Sequence, residues 1–171
     1  MEFKLYNKYI TSFTKCNQPC IKLELYIYRL IKSNYFFHQN IVYSIIYMNE
    51  INQINNKLIN KYNIHIYFAL SLLISKKFLS EYPIYLDNYT ELLGINLQQI
   101  IKLELEFIEI LDWKLNINNN KFNIELKYLR KNLVYYRKDI LNTCKSNTDL
   151  LCILLNRYIN KYIINDININ L

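Results

Sequence analysis

The chain has 171 residues and a formal net charge of +7, and 52% of its residues are hydrophobic. This length allows one domain with a substantial core, and this hydrophobic fraction excludes a wholly disordered chain, because burial of so much apolar surface can offset chain entropy. One glycine and two prolines supply few of the tight turns that sheets require, so the composition predicts an all-α fold.

The charge is unevenly distributed along the chain. Residues 1–78 contain ten Lys or Arg against three Asp or Glu, residues 79–120 contain two against seven, and residues 121–171 contain nine against four. The three segments therefore carry +7, −5 and +5. Nucleic-acid binders usually gather their basic residues on one stripe or helix face. Here the basic residues are spread over separate segments, which argues against nucleic acid as the main partner.

Apolar residues recur at helical spacing along most of the chain. The segment 63–79 is apolar nearly all round, which is typical of a central buried helix. A shorter helix ends at Gly94, the residue best suited to a left-handed cap, and the next begins at Asn96 with Gln99 completing a capping box. The predicted helices are, in chain order, 5–14, 18–31, 63–79, 84–93, 96–113, 122–136 and 149–164.

Two Asn-rich stretches are harder to assign. Apolar residues in 33–61 recur at threes and fours, as in an amphipathic helix, but the composition also fits a loop expanded by genomic base bias. Both interpretations stay open at this point. The run 118–120 consists of three Asn residues and is interpreted as a linker.

The sequence contains no features of an enzyme, a metalloprotein or a membrane protein. It has no Gly-rich phosphate loop, no HExxH and no nucleophile elbow. Its four cysteines form no zinc-binding set, so we expect reduced thiols, no metal and no cofactor. The longest uncharged run, 33–49, contains several Asn, Gln and His residues and fails as a membrane span. With no signal peptide, the protein is expected in the cytoplasm, the nucleus or both.

Short motifs in the correct order resemble the P-type cyclins, also called P/U-type cyclins. Asn63-Ile64-His65 resembles the family's N-V-H, and the run LLISKKFL (72–79) resembles L-L-A-A-K-F-L. Leu103 begins LELEFIEILDWKL, which resembles L-E-x-E-F-L-x-L-L-D-F-x-L. The other matches are Phe13-Thr14-Lys15-Cys16 with Pro19 to Y-T-K-C-S-P, Tyr26-Ile27-Tyr28-Arg29-Leu30 to Y-I-D-R-L, and Leu92-Leu93-Gly94-Ile95 to V-G-G-I.

This resemblance implies a single five-helix cyclin box at residues 1–117 and a helical C-terminal extension at 118–171. It also implies an inserted segment at about 33–61, expected to lie outside the common core. Tyr28 stands where the family has an Asp, so the buried pairing of that Asp does not carry over.

The same resemblance implies a regulatory subunit that binds and activates a cyclin-dependent Ser/Thr protein kinase and performs no chemistry itself. Lys77 and Glu104 would lie near one another on an exposed edge and hold main-chain groups of the kinase C-helix. Phe78, Ile108 and Trp113 would supply apolar area around them. No small-molecule substrate is implied.

The residues alone allow other interpretations. A lysine at the end of an apolar helix is usually a solvated residue whose positive charge interacts favourably with the C-terminal end of the helix dipole. Glu104 is one of several carboxylates in its segment. His65 is interpreted as a hydrogen-bonded residue at the start of a helix and not as a ligand. A non-activating cyclin-like scaffold and a basic helical module that binds nucleic acid are the alternative functions.

Overall fold

The computed structural model describes residues 21–34, 38–56, 58–140, 153 and 155–160, and these residues form helices and loops without a strand. This confirms the predicted all-α class. The helices are α1 (Leu23–Asn34), α2 (His38–Ile54), α3 (Ile64–Leu79), α4 (Asp87–Leu93), α5 (Leu97–Ile110) and α6 (Asn119–Ile140). The predicted helix 5–14, the Gln18-Pro19 helix start and all four cysteines lie outside the described residues.

Helix α3 is the centre of the main core, as predicted. Eleven of its 16 residues are buried, and they extend from Ile64 to Ser75. The buried hydroxyls of Ser71 and Ser75 donate to the carbonyl oxygens of Phe68 (2.7 Å) and Leu72 (2.8 Å). These small side chains therefore let neighbouring helices approach closely without leaving a buried hydroxyl unpaired.

Helix α2 occupies the stretch that allowed either a helix or a loop. It packs against α3, the next helix in the chain, and against α6, which is distant in sequence. The expectation that this stretch lies outside the common core is wrong, because nine of its 17 helical residues are buried. They are Asn40, Ile41, Val42, Ser44, Ile45, Ile46, Tyr47, Met48 and Ile51.

Helix α4 is shorter than the predicted 84–93. Its backbone hydrogen bonding begins only at the Leu86 carbonyl, which accepts from the Thr90 amide. The residues before it pack as a non-helical segment against a small second core. The helix ends at Gly94, whose φ of +65° is the predicted left-handed cap. The second core consists of Leu73, Tyr89 and Ile100, with Ile84, Leu86, Leu93 and Ile95 around them.

Helix α5 begins with the predicted capping box. Oδ1 of Asn96 accepts from the Gln99 amide (2.9 Å), and Oε1 of Gln99 accepts from the Asn96 amide (3.1 Å). The box satisfies two amides that the helix cannot pair internally, so it fixes where α5 starts.

Helix α5 ends at Ile110, before the predicted end near Trp113. Asp112 and Trp113 adopt left-handed φ angles of 53° and 59°. The Asp112 amide donates to the Glu109 carbonyl (3.0 Å) and the Trp113 amide donates to the Ile108 carbonyl (3.1 Å). These two bonds are those of a Schellman motif, with Asp112 where glycine is usual.

The interpretation of 118–120 as a linker is wrong. Helix α6 begins at Asn119, and Oδ1 of Asn118 accepts from the Lys121 amide (2.8 Å) as an N-cap. The helix therefore extends beyond the predicted 122–136 at both ends. Asn is among the best N-cap residues, so an Asn in this run could mark the start of a helix. The run was interpreted as a linker because Asn is abundant throughout the chain.

The described part of the C-terminal extension shares the main core. Leu155, Tyr158 and Ile159 are buried in it. The Tyr158 hydroxyl donates to Oε1 of Glu125 on α6 (2.8 Å) and accepts from Nδ2 of Asn49 on α2 (3.1 Å). Of the predicted helix 149–164, the structure describes residues 153 and 155–160, and residues 153 and 155–158 are α-helical.

Candidate functional site

The structure brings Lys77 and Glu104 into direct contact. Nζ of Lys77, in the last turn of α3, lies 2.7 Å from Oε1 and 2.6 Å from Oε2 of Glu104 in α5. The Lys77 side chain is 33% exposed and the Glu104 side chain 13% exposed. Their predicted proximity is thus observed, but the pair is half-buried and each residue binds the other in the free chain. The predicted position on an exposed edge is corrected accordingly.

The position of Lys77 follows from how α3 leaves the core. Residues 64–75 are buried with the exception of Ile66, and Lys76 and Lys77 are the first charged residues after them. Burial lowers the pKa of the Lys76 amine. Lys77 is the lysine that reaches Glu104. It lies in the last turn of α3, where its positive charge also interacts favourably with the C-terminal end of the helix dipole.

Phe78 extends the site on the side of α2. It is 43% exposed, and its ring centroid lies 6.2 Å from that of Tyr43. Tyr43 in turn lies 6.0 Å from Tyr47 and 5.9 Å from Phe122, again between ring centroids. Tyr43 was not among the predicted site residues, because α2 was expected to lie outside the common core. Its place in the helical period of α2 was the signal that could have found it.

Ile108 and Trp113 lie at the C-terminal end of α5. Ile108 is partly buried against the main core. Trp113 is 63% exposed, and its amide donates to the Ile108 carbonyl. Through this bond of the Schellman motif, the backbone of Trp113, whose indole is exposed, is held to Ile108, which packs against the main core.

His65 is a structural residue, as predicted, and lies at the opposite end of α3. Its Nε2 lies 3.0 Å from the Ile21 carbonyl oxygen, and the Tyr26 ring packs edge-on at 5.1 Å between centroids. Burial lowers the pKa of His65. Nearby, the Asn63 side-chain amide donates to the Leu58 carbonyl (2.8 Å) and fixes the loop before α3.

Within the described ranges, no group of three His, Cys, Asp or Glu side chains could hold a metal ion. The site itself consists of an ammonium and a carboxylate fixed at the junction of two helices, with the partly exposed aromatic side chains of Phe78 and Trp113 close by in sequence.

Residues 2–115 match the sequence profile of the family described as Cyclin. The match covers well over half of the 171 residues. The chain belongs to the cyclin family.

This cyclin is similar to two plant proteins. It is 26% identical to Cyclin-U4-1 of Arabidopsis thaliana over 145 residues, which cover 83% of this chain and 71% of that protein. It is 25% identical to Cyclin-U4-3 of the same plant over 129 residues, 75% of this chain and 59% of that protein. No solved structure matches significantly. The resemblance to P/U-type cyclins carried by the short motifs is confirmed.

Membership of the cyclin family supports a regulatory, non-catalytic role, and cyclins in general are partners of protein kinases. In the part of the chain that the structure describes, none of the helices combines the length and the hydropathy needed to cross a membrane.

Proposed function

We propose that this cyclin is the regulatory subunit of a cyclin-dependent protein kinase, which it binds and activates by packing against the kinase C-helix in the cytoplasm or nucleus. The observation that carries the proposal is the Lys77–Glu104 pair, held at 2.6 Å where α3 meets α5. In a cyclin, these are the two residues that the family resemblance assigns to the kinase contact.

The activation step follows from how protein kinases work. A kinase is active when its strand lysine pairs with a glutamate on the mobile C-helix. A partner shifts the kinase toward that arrangement only if it binds the active state more tightly than the inactive one. A rigid surface that fits the inward position of the C-helix supplies this difference in affinity.

The half-buried pair suits such a surface. The Lys77 ammonium has three donors, so it can keep Glu104 and still donate to a kinase carbonyl from its exposed side. The carboxylate, held by Lys77, retains lone pairs for a kinase amide. Each charge-assisted bond of this kind contributes about 1.5–3 kcal/mol.

The apolar part of the contact comes from Phe78, Ile108 and Trp113. Phe78 and Trp113 expose much of their surface in the free chain, so burial against a kinase removes that apolar area from water. Aromatic side chains of this kind often dominate the binding energy of an interface.

The first experiment identifies the kinase and measures its activity. The tagged cyclin is purified from its native cells, co-purifying kinases are identified, and the best candidate is produced recombinantly. Adding purified cyclin should raise the phosphorylation rate of that kinase. Tight binding without a rise in rate would instead favour the non-activating scaffold.

A variant series then tests the pair itself. Lys77→Glu and Glu104→Lys should each weaken kinase binding by about 2–4 kcal/mol, because each places the wrong sign against kinase main-chain groups. Lys127→Glu, an exposed charge reversal on α6, is the matched control and should bind normally. The double swap should restore the internal pair but not the binding. Full recovery of binding in the double swap would show that the pair acts only by stabilising the fold.

A further inference from the structure

The outer face of α6 carries apolar and basic side chains in two parallel rows. Ile124 and Tyr128 are 61% and 37% exposed, and Lys127 and Lys131 are exposed beside them. The spacing i, i+3, i+4, i+7 places the four side chains within about 100° of the helix circumference and about 10 Å along its axis. We call these four residues the α6 face. Ile124 and Tyr128 form its apolar row, and Lys127 and Lys131 form its basic row.

The opposite side of α6 is fixed to the main core, which leaves the α6 face toward water. Phe122, Leu126 and Leu129 pack against that core as partly buried residues. The Tyr128 ring also lies edge-on against the Tyr158 ring, 6.0 Å between centroids. The helix and one member of its apolar row are therefore held in place, so a partner would meet a preformed surface and lose little free energy in ordering it.

The charge of α6 indicates what can cover this face. Residues 119–140 contain six Lys or Arg against two Asp or Glu, and one of the two acids, Glu125, accepts from the Tyr158 hydroxyl (2.8 Å). Within the part of the chain that the structure describes, no carboxylate forms an ion pair with Lys127 or Lys131. The basic row is thus available to the carboxylates of a partner.

A protein segment fits both rows better than a nucleic acid or a membrane does. The phosphates of a nucleic acid would pair with the basic row, but its backbone offers no apolar group to Ile124. Two apolar side chains are also too few to hold a lipid surface, because lipid-binding helices present a whole apolar side. An acidic amphipathic segment can place apolar side chains on one row and carboxylates on the other at the same time.

We propose that the α6 face is a docking site for an acidic amphipathic segment of a partner protein other than the kinase. The Phe122 ring, on the buried side of α6, lies 5.9 Å from that of Tyr43 on the α2 side of the Lys77–Glu104 site. The α6 face is on the other side of its helix, so the partner and a kinase at the Lys77–Glu104 pair can be bound together. The docking itself needs no kinase, so this inference is independent of the proposed function.

The test uses the full chain and three short synthetic peptides that carry fluorescein. The first has Glu and Leu on separate faces of a helix, the second replaces Glu by Lys, and the third keeps Glu but replaces Leu by Ser. Fluorescence anisotropy should give a Kd on the order of 10–100 µM for the first peptide. The other two should bind at least about tenfold more weakly, because each lacks the partner of one row.

Charge reversal assigns the binding to the α6 face. Lys127→Glu/Lys131→Glu should raise the Kd of the first peptide at least about 20-fold, because the new carboxylates repel those of the peptide. Its matched control, Lys22→Glu/Lys32→Glu, makes the same change in net charge at exposed residues near the two ends of α1. The control should change the Kd less than about threefold, since exposed charges beyond the Debye length are screened.

The apolar row is tested separately. Ile124→Ala should raise the Kd about fivefold, while Leu25→Ala, which truncates a side chain 55% exposed on α1, should leave it within about twofold. Lys127→Gln/Lys131→Gln removes the charges without reversing them and should raise the Kd about fivefold, which guards against a folding defect in the reversal. Circular dichroism should show unchanged melting, because all of these side chains are exposed.

Several results would overturn the proposal. They are no detectable binding of the first peptide, and equal binding of it by the wild type and the Lys127/Lys131 reversal. Tighter binding of a mixed-sequence oligonucleotide or of phosphatidylserine vesicles, lost in the same reversal, would assign the face to nucleic acid or lipid. A wild-type dimer in light scattering that the reversal abolishes would assign it to a second copy of the chain.

The reversal also separates this inference from the proposed function. Lys127→Glu/Lys131→Glu should bind the kinase as the wild type does while losing the peptide, and loss of both would place the kinase on the α6 face and overturn the docking proposal. A wild type that binds the first peptide as expected but no cyclin-dependent kinase would support the docking site and refute the proposed function alone.

Discussion

Helices α3 and α5 contact each other, yet α3 is an interior helix and α5 a surface helix. Eleven of the 16 residues in α3 are buried, against two of the 14 in α5. Substitutions in the body of α3 should therefore act on stability, and those on the outer face of α5 on binding. Lys77 and Glu104 stand where the two helices meet, so they should affect both.

The largest expected effect contrasts two phenylalanines of α3. Phe68 is fully buried and Phe78 is partly exposed at the end of the helix. Phe68→Ala should lower the free energy of unfolding by about 3–5 kcal/mol, because it leaves a cavity in a packed core. Phe78→Ala should cost less than about 1 kcal/mol and should mainly weaken kinase binding. Urea denaturation of both variants measures the contrast, and equal losses would contradict the division of α3 into a core and an edge.

The Lys77–Glu104 pair should give an intermediate effect on stability. Lys77→Glu places two carboxylates together at a half-buried position, and Glu104→Lys places two ammonium groups there. Each should lower the free energy of unfolding by about 1–2 kcal/mol, between the values for exposed and buried pairs.

A double-mutant cycle of urea-unfolding free energies provides the control. The double swap should recover most of the loss, because opposite charges face each other again. Additive losses in the double swap would show that the two side chains do not interact in solution.

The start of α5 should give a smaller effect. Asn96→Ala removes the acceptor of the Gln99 amide and should lower the free energy of unfolding by about 1 kcal/mol. Asn96→Asp keeps an acceptor and should cost little. Thermal unfolding followed by circular dichroism distinguishes the two, and equal behaviour of Ala and Asp would mean that the capping box adds nothing.

The start of α3 should respond to pH. Burial lowers the pKa of His65 in the folded chain, so the unfolded chain binds the proton more readily. The free energy of unfolding is therefore unaffected by His65 protonation above the ordinary histidine pKa of about 6.5. As the pH falls below this value, protonation of His65 in the unfolded chain lowers the free energy of unfolding. Urea denaturation at pH 7.5 and pH 5.5 should show this loss in the wild type and a smaller one in His65→Gln. An identical pH dependence in both would assign the effect to other groups.

The comparison of α3 with α5 also shows what a sequence can predict. The continuous apolar character of residues 63–79 was enough to predict a buried helix, because a helix apolar all round has no side to expose to water. The Asn96 and Gln99 spacing was enough to predict the start of α5, because a capping box is a local interaction. The nearness of Lys77 and Glu104 came from the family motifs.

Other features depend on contacts between distant segments. The polar residues of α2 made its sequence compatible with a loop as well as a helix. The segment is a buried helix because α3 and α6 pack against it. The mutual pairing of Lys77 and Glu104 depends on the angle at which α3 and α5 meet. The cap at Asn118 is a local signal, and the surrounding Asn run obscured it.

The smallest expected effect concerns the end of α5. Asp112 adopts a left-handed φ of 53° at the glycine position of the Schellman motif. Asp112→Gly should raise the free energy of unfolding by about 0.5 kcal/mol, because relief of the left-handed conformation outweighs the greater entropy of unfolded glycine. The ion pair with Lys114 that it removes is exposed, so its loss should matter little. Asp112→Ala keeps a Cβ without the tolerance of Asp for this conformation and should be destabilising. The melting temperatures should therefore rank Gly, Asp, Ala from highest to lowest. Should Ala match or exceed Gly, the helix does not end in a left-handed turn at this residue, and Trp113 is not held in place by the Schellman motif.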